Sequence, residues 1–244
     1  CPVSQFLADL LAGKRPVAGL PQVPPVTFDH RKLCICHHGL PLSAFAQQPN
    51  AQLSDTQIVG TIGRLDPEKR HAHLIDAVAM LAPSYPGLRL CIVGGGQLES
   101  ALLSQAQDHG ITDRVTITGS VPWAQVIEER RKFHIYAHTA SVEGFSLGTL
   151  EGISCGLPAV ATRTGAHGQM IVDGVTGYLV DIEDVPALRD RLKALLDAGP
   201  QGRSVMATAA LEHVRSSFQY DDVMAFTESV LDAVRRKVAL PVRV

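Results

Sequence analysis

Apolar positions along this chain alternate between two rhythms. Gln57-Ile-Val-Gly-Thr-Ile-Gly63 and Leu88-Arg-Leu-Cys-Ile-Val93 are short, nearly continuous apolar runs, the pattern of strands buried on both faces of a parallel sheet. Between and after them, residues 71–82 and 97–109 place apolar side chains at helical spacing. The same alternation continues through a strand at Val115-Thr-Ile-Thr118, a helix from Ala124 to Arg131 and a strand from Phe133 to His138. A helix beginning near Ser146, a strand at Ala159–Thr162, and a turn with a last short strand within Val172–Val180 come next. Helices near 184–198, 201–216 and 220–237 finish the chain. Upstream, Ser4 to Leu11 predicts a short capped helix, and the prolines at 16, 21, 24 and 25 predict a loop over residues 13–31. Leu33–Cys36 predicts a short strand, closed by a tight turn at His37-His38-Gly39-Leu40-Pro41.

Strand and helix in alternation, joined by short glycine-marked turns, predict an α/β fold: a doubly wound parallel sheet of Rossmann-like type. Ligands of such sheets bind outside the carboxyl ends of the strands. Four features fall there: Gly63, Arg64 and Lys69; Gly94-Gly-Gly96; the stretch from Glu143; and the loop with Gly165 and Gly168. They are remote in sequence, and the topology would gather them on one rim.

Composition removes several function classes. The 244 residues are 45% hydrophobic with a formal net charge of −2, so the basic surplus of a nucleic-acid-binding protein is missing. Cysteines at 1, 34, 36, 91 and 155 are odd in number and lack metal-type spacing, which suggests a reducing compartment. Cys91 and Cys155 sit in apolar runs and read as small buried hydrophobes. His37 and His38 invite a metal reading. Neighbours on a strand face opposite ways, however, and no third ligand is near, so they read as structural. No apolar run reaches the ~20 residues of a membrane span. The chain opens at Cys1 in what reads as the interior of a longer sequence, so a fragment is expected.

The chemistry concentrates in Glu143-Gly-Phe-Ser-Leu-Gly-Thr-Leu-Glu151. Two carboxylates flank a helix start whose free N–H groups and positive dipole end suit an anion. A helix and turn of that length spans about 10–12 Å, enough to bridge a diphosphate and the sugars on either side of it. The competing reading is a surface helix with two solvated glutamates. Arg64 and Lys69 flank the Pro67 turn and could neutralise a diphosphate. Gly94-Gly95-Gly96 lacks the dinucleotide fingerprint, which disfavours a nicotinamide oxidoreductase; these glycines would let backbone approach a base or phosphate closely. A carboxylate such as Glu151 is suited to holding a ribose diol.

Taken together, Gly63-Arg-Leu-Asp-Pro-Glu-Lys69, Val93-Gly-Gly-Gly96, Glu143 to Glu151, Cys155-Gly-Leu-Pro158 and Asp173-Gly-Val-Thr-Gly-Tyr-Leu-Val180 resemble the carboxyl-terminal domain of retaining GT-B glycosyltransferases. The family is the bacterial group 1 set with the two-glutamate motif, and the resemblance covers about residues 33–237. It implies a hexosyltransferase that uses a nucleotide-diphosphate sugar donor and builds a surface polysaccharide or glycolipid. Arg64 and Lys69 would contact the diphosphate, and Glu143 the donor-sugar hydroxyls beside the reacting centre. Glu151 would hold the ribose, Gly94 and Gly95 would approach the donor, and backbone N–H groups of Gly144, Phe145, Ser146 and Leu147 would face sugar and phosphate. No metal or other cofactor is implied, because the basic pair and helix dipole stand in for a divalent cation. The implied division is a remnant of an acceptor domain and crossover at 1–32, a donor-binding domain at 33–220, and a terminal helix and tail at 221–244. A glycan or lipid-linked acceptor, and any peripheral membrane contact, would come through a missing amino-terminal domain. The implied location is the cytoplasm, at the inner face of the membrane.

Three departures stand out. Ser146 occupies a usual glycine; as a good N-cap, its hydroxyl would take up one helix N–H or add a ligand contact. Gln169 stands in place of a glutamate and can still hydrogen-bond a base or sugar. Gly152 replaces an alanine, at about 1 kcal/mol or less of helix stability. A nucleotide-sugar epimerase on the same fold, or a non-catalytic binding module, are the alternatives.

Overall fold

A computed structural model describes residues 34–45, 56–236 and 240. The helix expected at Ser4–Leu11, the loop at 13–31 and the segment 1–32 lie outside the described residues. Six parallel strands run in the order β3-β2-β1-β4-β5-β6. They are β1 Gln57–Ile62, β2 Leu88–Val93, β3 Val115–Ile117, β4 Ile135–His138, β5 Ala159–Thr162 and β6 Gly177–Val180. The helices are α1 Leu42–Phe45, α2 His71–Leu81, α3 Glu99–Asp108, α4 Trp123–Arg131, α5 Leu147–Ser154, α6 His167–Met170, α7 Val185–Asp197, α8 Gly199–Phe218 and α9 Tyr220–Arg236. The chain returns across β1 to begin β4, so strand order reverses between β1 and β4. Ligand crevices open at such a point.

The two-residue period of the strands divides the core. Val59, Leu88, Leu90, Ile92, Ile135, Ala137, Val160 and Val180 point into the layer made by α2, α3 and α7. Alternate residues face the other way: Cys91, Val93 and Tyr136 toward α4, and Ala159, Ala161 and Leu179 toward α5, α6 and α8. Helix α7 follows the rule closely. Leu188, Leu192, Leu195 and Leu196 make its buried stripe, and the Asp184 carboxylate accepts the Ala187 N–H at 2.9 Å to cap it. Helix α9 carries Asp221 and Asp222 in its first turn and Arg235 and Arg236 in its last, matching its dipole at both ends. Among the described residues no helix is long and apolar enough to cross a membrane.

One expected element is corrected. Residues 34–39 form no strand; only Leu40 makes an isolated parallel bridge, to Gln219. The apolar run that suggested a strand is satisfied by a helix instead, since Cys34 and Cys36 are buried against Val230 and Phe226 of α9. The adjacent histidines are structural, as expected: His37 stacks on Phe218 and His38 meets Phe145 edge-on, both with centroids 5.1 Å apart. The loop expected after β5 also contains the short helix α6.

Candidate functional site

The loops leaving β1 and β4 flank the reversal point and are stitched to each other. Leu65, fully buried, anchors the first: its N–H donates to the Gly95 carbonyl at 3.0 Å, and its carbonyl accepts from Leu98 at 3.1 Å. A 3-10 turn over Pro67–Lys69 follows and ends at Arg70 in a left-handed conformation (φ 52°). The second loop then grips this turn. The Thr139 hydroxyl lies 2.9 Å from the Lys69 carbonyl and 3.1 Å from that of Arg70, and the Ser141 N–H donates to the Glu68 carbonyl at 2.8 Å. Lys69 is thereby fixed against a residue 74 positions later, its ammonium donating to Glu143 Oε2 at 2.8 Å.

Glu143 receives three donors in all. His138, the last residue of β4, lies with Nε2 3.1 Å from Oε2, and the Gly144 N–H donates to Oε1 at 3.1 Å. Burial by itself would raise this carboxyl. The His138 and Lys69 hydrogen bonds, with their charges, overcome it and hold the group at about 2. Arg64 behaves differently: its side chain is 74% exposed and paired with Asp66 at 2.8 Å and Glu68 at 3.4 Å.

Helix α5 starts directly after this cluster, but not by the expected capping. Ser146 adopts a left-handed conformation (φ 74°, ψ 73°) and its side chain caps no helix N–H. Instead a buried relay runs from the Ser146 hydroxyl to Thr149 Oγ1 at 2.8 Å and on to His167 Nε2 at 3.2 Å. His167 Nδ1 sits 2.8 Å from the Thr162 carbonyl, which can only accept. The proton is therefore on Nδ1, Nε2 accepts from Thr149, and Thr149 accepts from Ser146. Burial pushes His167 down to about 3, in keeping with a neutral ring. The first N–H groups of α5 are thus left without a side-chain cap, and the positive end of the helix faces the Glu143 loop. Phe145, expected at the donor, has its ring in the core against Phe218 and His38, so only its backbone reaches the rim.

Eight residues on, Glu151 is in different surroundings. It is 8% exposed, and its Oε2 accepts from the Nη2 of Arg130 on α4. Burial pushes its carboxyl up, with Arg130 opposing the shift.

The glycine turn after β2 is required by packing within the protein. A Cβ on Gly94, whose φ is 147°, would lie 2.0 Å from the Gly63 carbonyl oxygen. Added carbons at Gly95 and Gly96 would strike Ser120 and the Leu65 backbone. Gly165, at φ 56°, closes the β5 loop onto the Glu143 carbonyl, which a Cβ would approach to 2.5 Å. Gln169 lies with Nε2 3.4 Å from His37 Nε2, and its carbonyl lies 2.9 Å from His213 Nε2. Gly152 has a steric cause: the Tyr136 ring, fully buried beneath it, would be 2.8 Å from an added methyl.

The structure thus brings Lys69, Glu143, Gly144, Ser146 and Leu147 to one rim, with Arg64 at its exposed edge and Glu151 buried one helix length away. Sequence reasoning missed His138, Thr149, His167 and Arg130. For His138 there was a signal, its place at the carboxyl end of an expected strand.

Comparison with known proteins adds independent findings. Residues 44–212 match the family described as glycosyl transferases group 1. A GDP-mannose-dependent alpha-(1-6)-phosphatidylinositol monomannoside mannosyltransferase of Mycolicibacterium smegmatis is 29% identical over 220 residues, 84% of this chain and 54% of that protein. Among solved structures, Anabaena Alr3699/HepE in complex with UDP superposes with a TM-score of 0.77 at 22% identity, covering 95% of this chain and 63% of that one. The carboxyl-terminal domain of a glycosyl transferase group 1 family protein (LpcC) from Francisella tularensis gives a TM-score of 0.68 at 21% identity, covering 74% of this chain and 99% of that one. The two structures share the fold. The chain spans about half the length of the curated relatives it matches.

Proposed function

The chain belongs to the glycosyl transferases group 1 family, and from that premise we propose that it is the donor-binding part of a hexosyltransferase acting with retention on a nucleotide-diphosphate sugar. The observation that carries this reading is the contact of Lys69 with Glu143 at the start of α5, where the sheet order reverses. A diphosphate placed there meets the Lys69 ammonium, the helix N–H groups and, from the exposed edge, Arg64. It competes with Glu143 for Lys69, which frees the Glu143 carboxylate to accept sugar hydroxyls. Glu151 accepts from the ribose. The cations and the helix end supply the charge that a divalent metal would otherwise supply, so binding needs no added metal. The donor-binding unit is residues 33–220, with 221–244 as its closing helix and tail. A glycan or lipid-linked acceptor is held by a second domain, for which relatives about twice this length have room.

The test is a titration of the purified chain with UDP, GDP and ADP, with and without EDTA, followed by the fluorescence of Trp123, the one tryptophan in the sequence. One nucleotide should bind, and Lys69→Ala should weaken it roughly tenfold to a hundredfold, the value of a charged hydrogen bond. Failure of all three to bind would sink the proposal. Unchanged affinity in Lys69→Ala would sink the site.

A second reading follows from the half-length match: the chain taken alone is a donor-binding module without turnover. Donor hydrolysis and transfer assays on it should then be blank, and measurable turnover overturns that reading. Release of an isomerised nucleotide-sugar would instead favour an epimerase.

A further inference from the structure

Arg130 has no place in the function proposed so far. It lies on the inner face of α4, four residues after Val126, and is 2% exposed. Its guanidinium carbon sits 5.6 Å from the centroid of the Trp123 ring and 5.9 Å from that of Phe45. Nη2 is hydrogen-bonded to Glu151 Oε2; Nε and Nη1 are buried with no partner among the described residues. A guanidinium with two of its three nitrogens unbonded in the interior costs stability. An apolar pair of similar volume would join α4 and α5 at least as well. Packing therefore does not account for an arginine here, whereas its hydrogen bond engages a carboxylate of the site and its charge also faces the Cys155 thiol. That bond also leaves Glu151 Oε1 without a hydrogen bond to the described residues.

We propose that Arg130 is a positioning residue for Glu151, pinning Oε2 and balancing its charge so that Oε1 stands as an anionic acceptor for a ribose hydroxyl of the nucleotide. The inference rests on the proposed function, which puts ribose at Glu151. The charged and titratable groups around Glu151 fit it. Arg130 faces it from α4, Tyr136 from β4 and Cys155 from its own helix. Burial pushes both the phenol and the thiol up, so neither carries charge near neutrality. Arg130 is then the cation that opposes the upward pull of burial on Glu151.

The experiment uses the full chain, whichever of UDP, GDP and ADP binds, and the 2′,3′-dideoxy form of that nucleotide. Wild type should prefer the ribonucleotide about tenfold at about pH 7, as for one hydrogen bond to a charged group. Glu151→Gln should abolish the preference. Arg130→Gln should bring it toward unity at about pH 7 and recover it toward pH 9, because a buried carboxyl without its cation ionises later. Arg130→Lys should retain it. If Glu151→Gln leaves the preference intact, the ribose assignment fails and this inference with it. If Glu151→Gln removes the preference while Arg130→Gln keeps it at about pH 7, the inference alone is overturned. Loss in Arg130→Gln without recovery at high pH also overturns it. Should Arg130→Gln not fold, wild type decides: a preference constant from about pH 7 to 9 supports the role, and one that climbs overturns it.

Discussion

The start of α5 and its buried later turn hold the same chemical pair, a glutamate beside a cation, in opposite electrostatic regimes. At the first, Glu143 is bonded by Lys69, His138 and the Gly144 N–H, and its carboxyl falls to about 2. At the other, Glu151 has one bond, from Arg130, and its carboxyl rises. Burial pushes both upward; the number of donors decides which way each goes. The first is therefore a rim of exchangeable partners, where an incoming anion can replace Glu143 on Lys69. The second is a closed pair that breaks only at a cost.

The largest effect expected from breaking this comparison is at the closed pair. Arg130→Met leaves Glu151 buried without its cation and should lower the unfolding free energy by about 3–5 kcal/mol in urea denaturation. Arg130→Met combined with Glu151→Leu should restore most of that loss. A single variant as stable as wild type would mean that Glu151 is far better solvated than its burial indicates.

At the open rim the effect depends on pH. Because the folded carboxyl of Glu143 lies near 2 rather than its ordinary 4.5, its contribution to stability is complete above about pH 4.5 and is lost as pH falls toward 2. The shift corresponds to about 3 kcal/mol for a side chain 16% exposed. Glu143→Gln should remove that contribution at neutral pH and flatten the stability curve between about pH 4.5 and 2. Parallel acid limbs in the two proteins would show that the three donors do not stabilise the carboxylate.

How far the sequence carried this contrast depends on how each partner is embedded. Lys69 and Glu143 were legible because each follows an apolar run that could only be a buried strand, and parallel topology sends such loops to one rim. Arg130 was not, since Ile127-Glu-Glu-Arg-Arg-Lys132 looks like a solvated helical face. Its burial depends on Trp123, Phe45 of α1 and Glu151 of α5 closing around it, a tertiary fact with no local signature. His138 and His167 were hidden for a related reason, as polar residues ending or following strands whose neighbours are apolar. The Gly94–Gly96 turn was placed correctly, and the structure adds a second demand for glycine there, the close approach of the Gly63–Leu65 loop. The strand expected at Leu33–Cys36 failed over its described residues, 34–36, because a short apolar run fits a helix-facing segment as well as a sheet.

Gly152 tests whether the residue beside Glu151 is set by helix propensity or by packing. Gly152→Ala gains about 1 kcal/mol of propensity but pushes a methyl to 2.8 Å from the fixed Tyr136 ring, an overpacking cost of about 1–3 kcal/mol. A net loss of about 1 kcal/mol is expected by thermal denaturation. In a Tyr136→Leu background the same change should become stabilising. Stabilisation in the wild-type background would show that the ring yields.

The smallest effect lies midway between the glutamates, at Ser146. Its left-handed backbone costs a residue with a Cβ about 1–2 kcal/mol, which its hydrogen bond to Thr149 partly offsets by about 0.5–1.5 kcal/mol. Ser146→Gly loses the bond and relieves the strain, so its stability should stay within about 1 kcal/mol of wild type. Ser146→Ala loses the same bond but keeps the strain, so it should be the less stable of the two by about 1 kcal/mol. If alanine equalled glycine, the left-handed turn would not persist in solution.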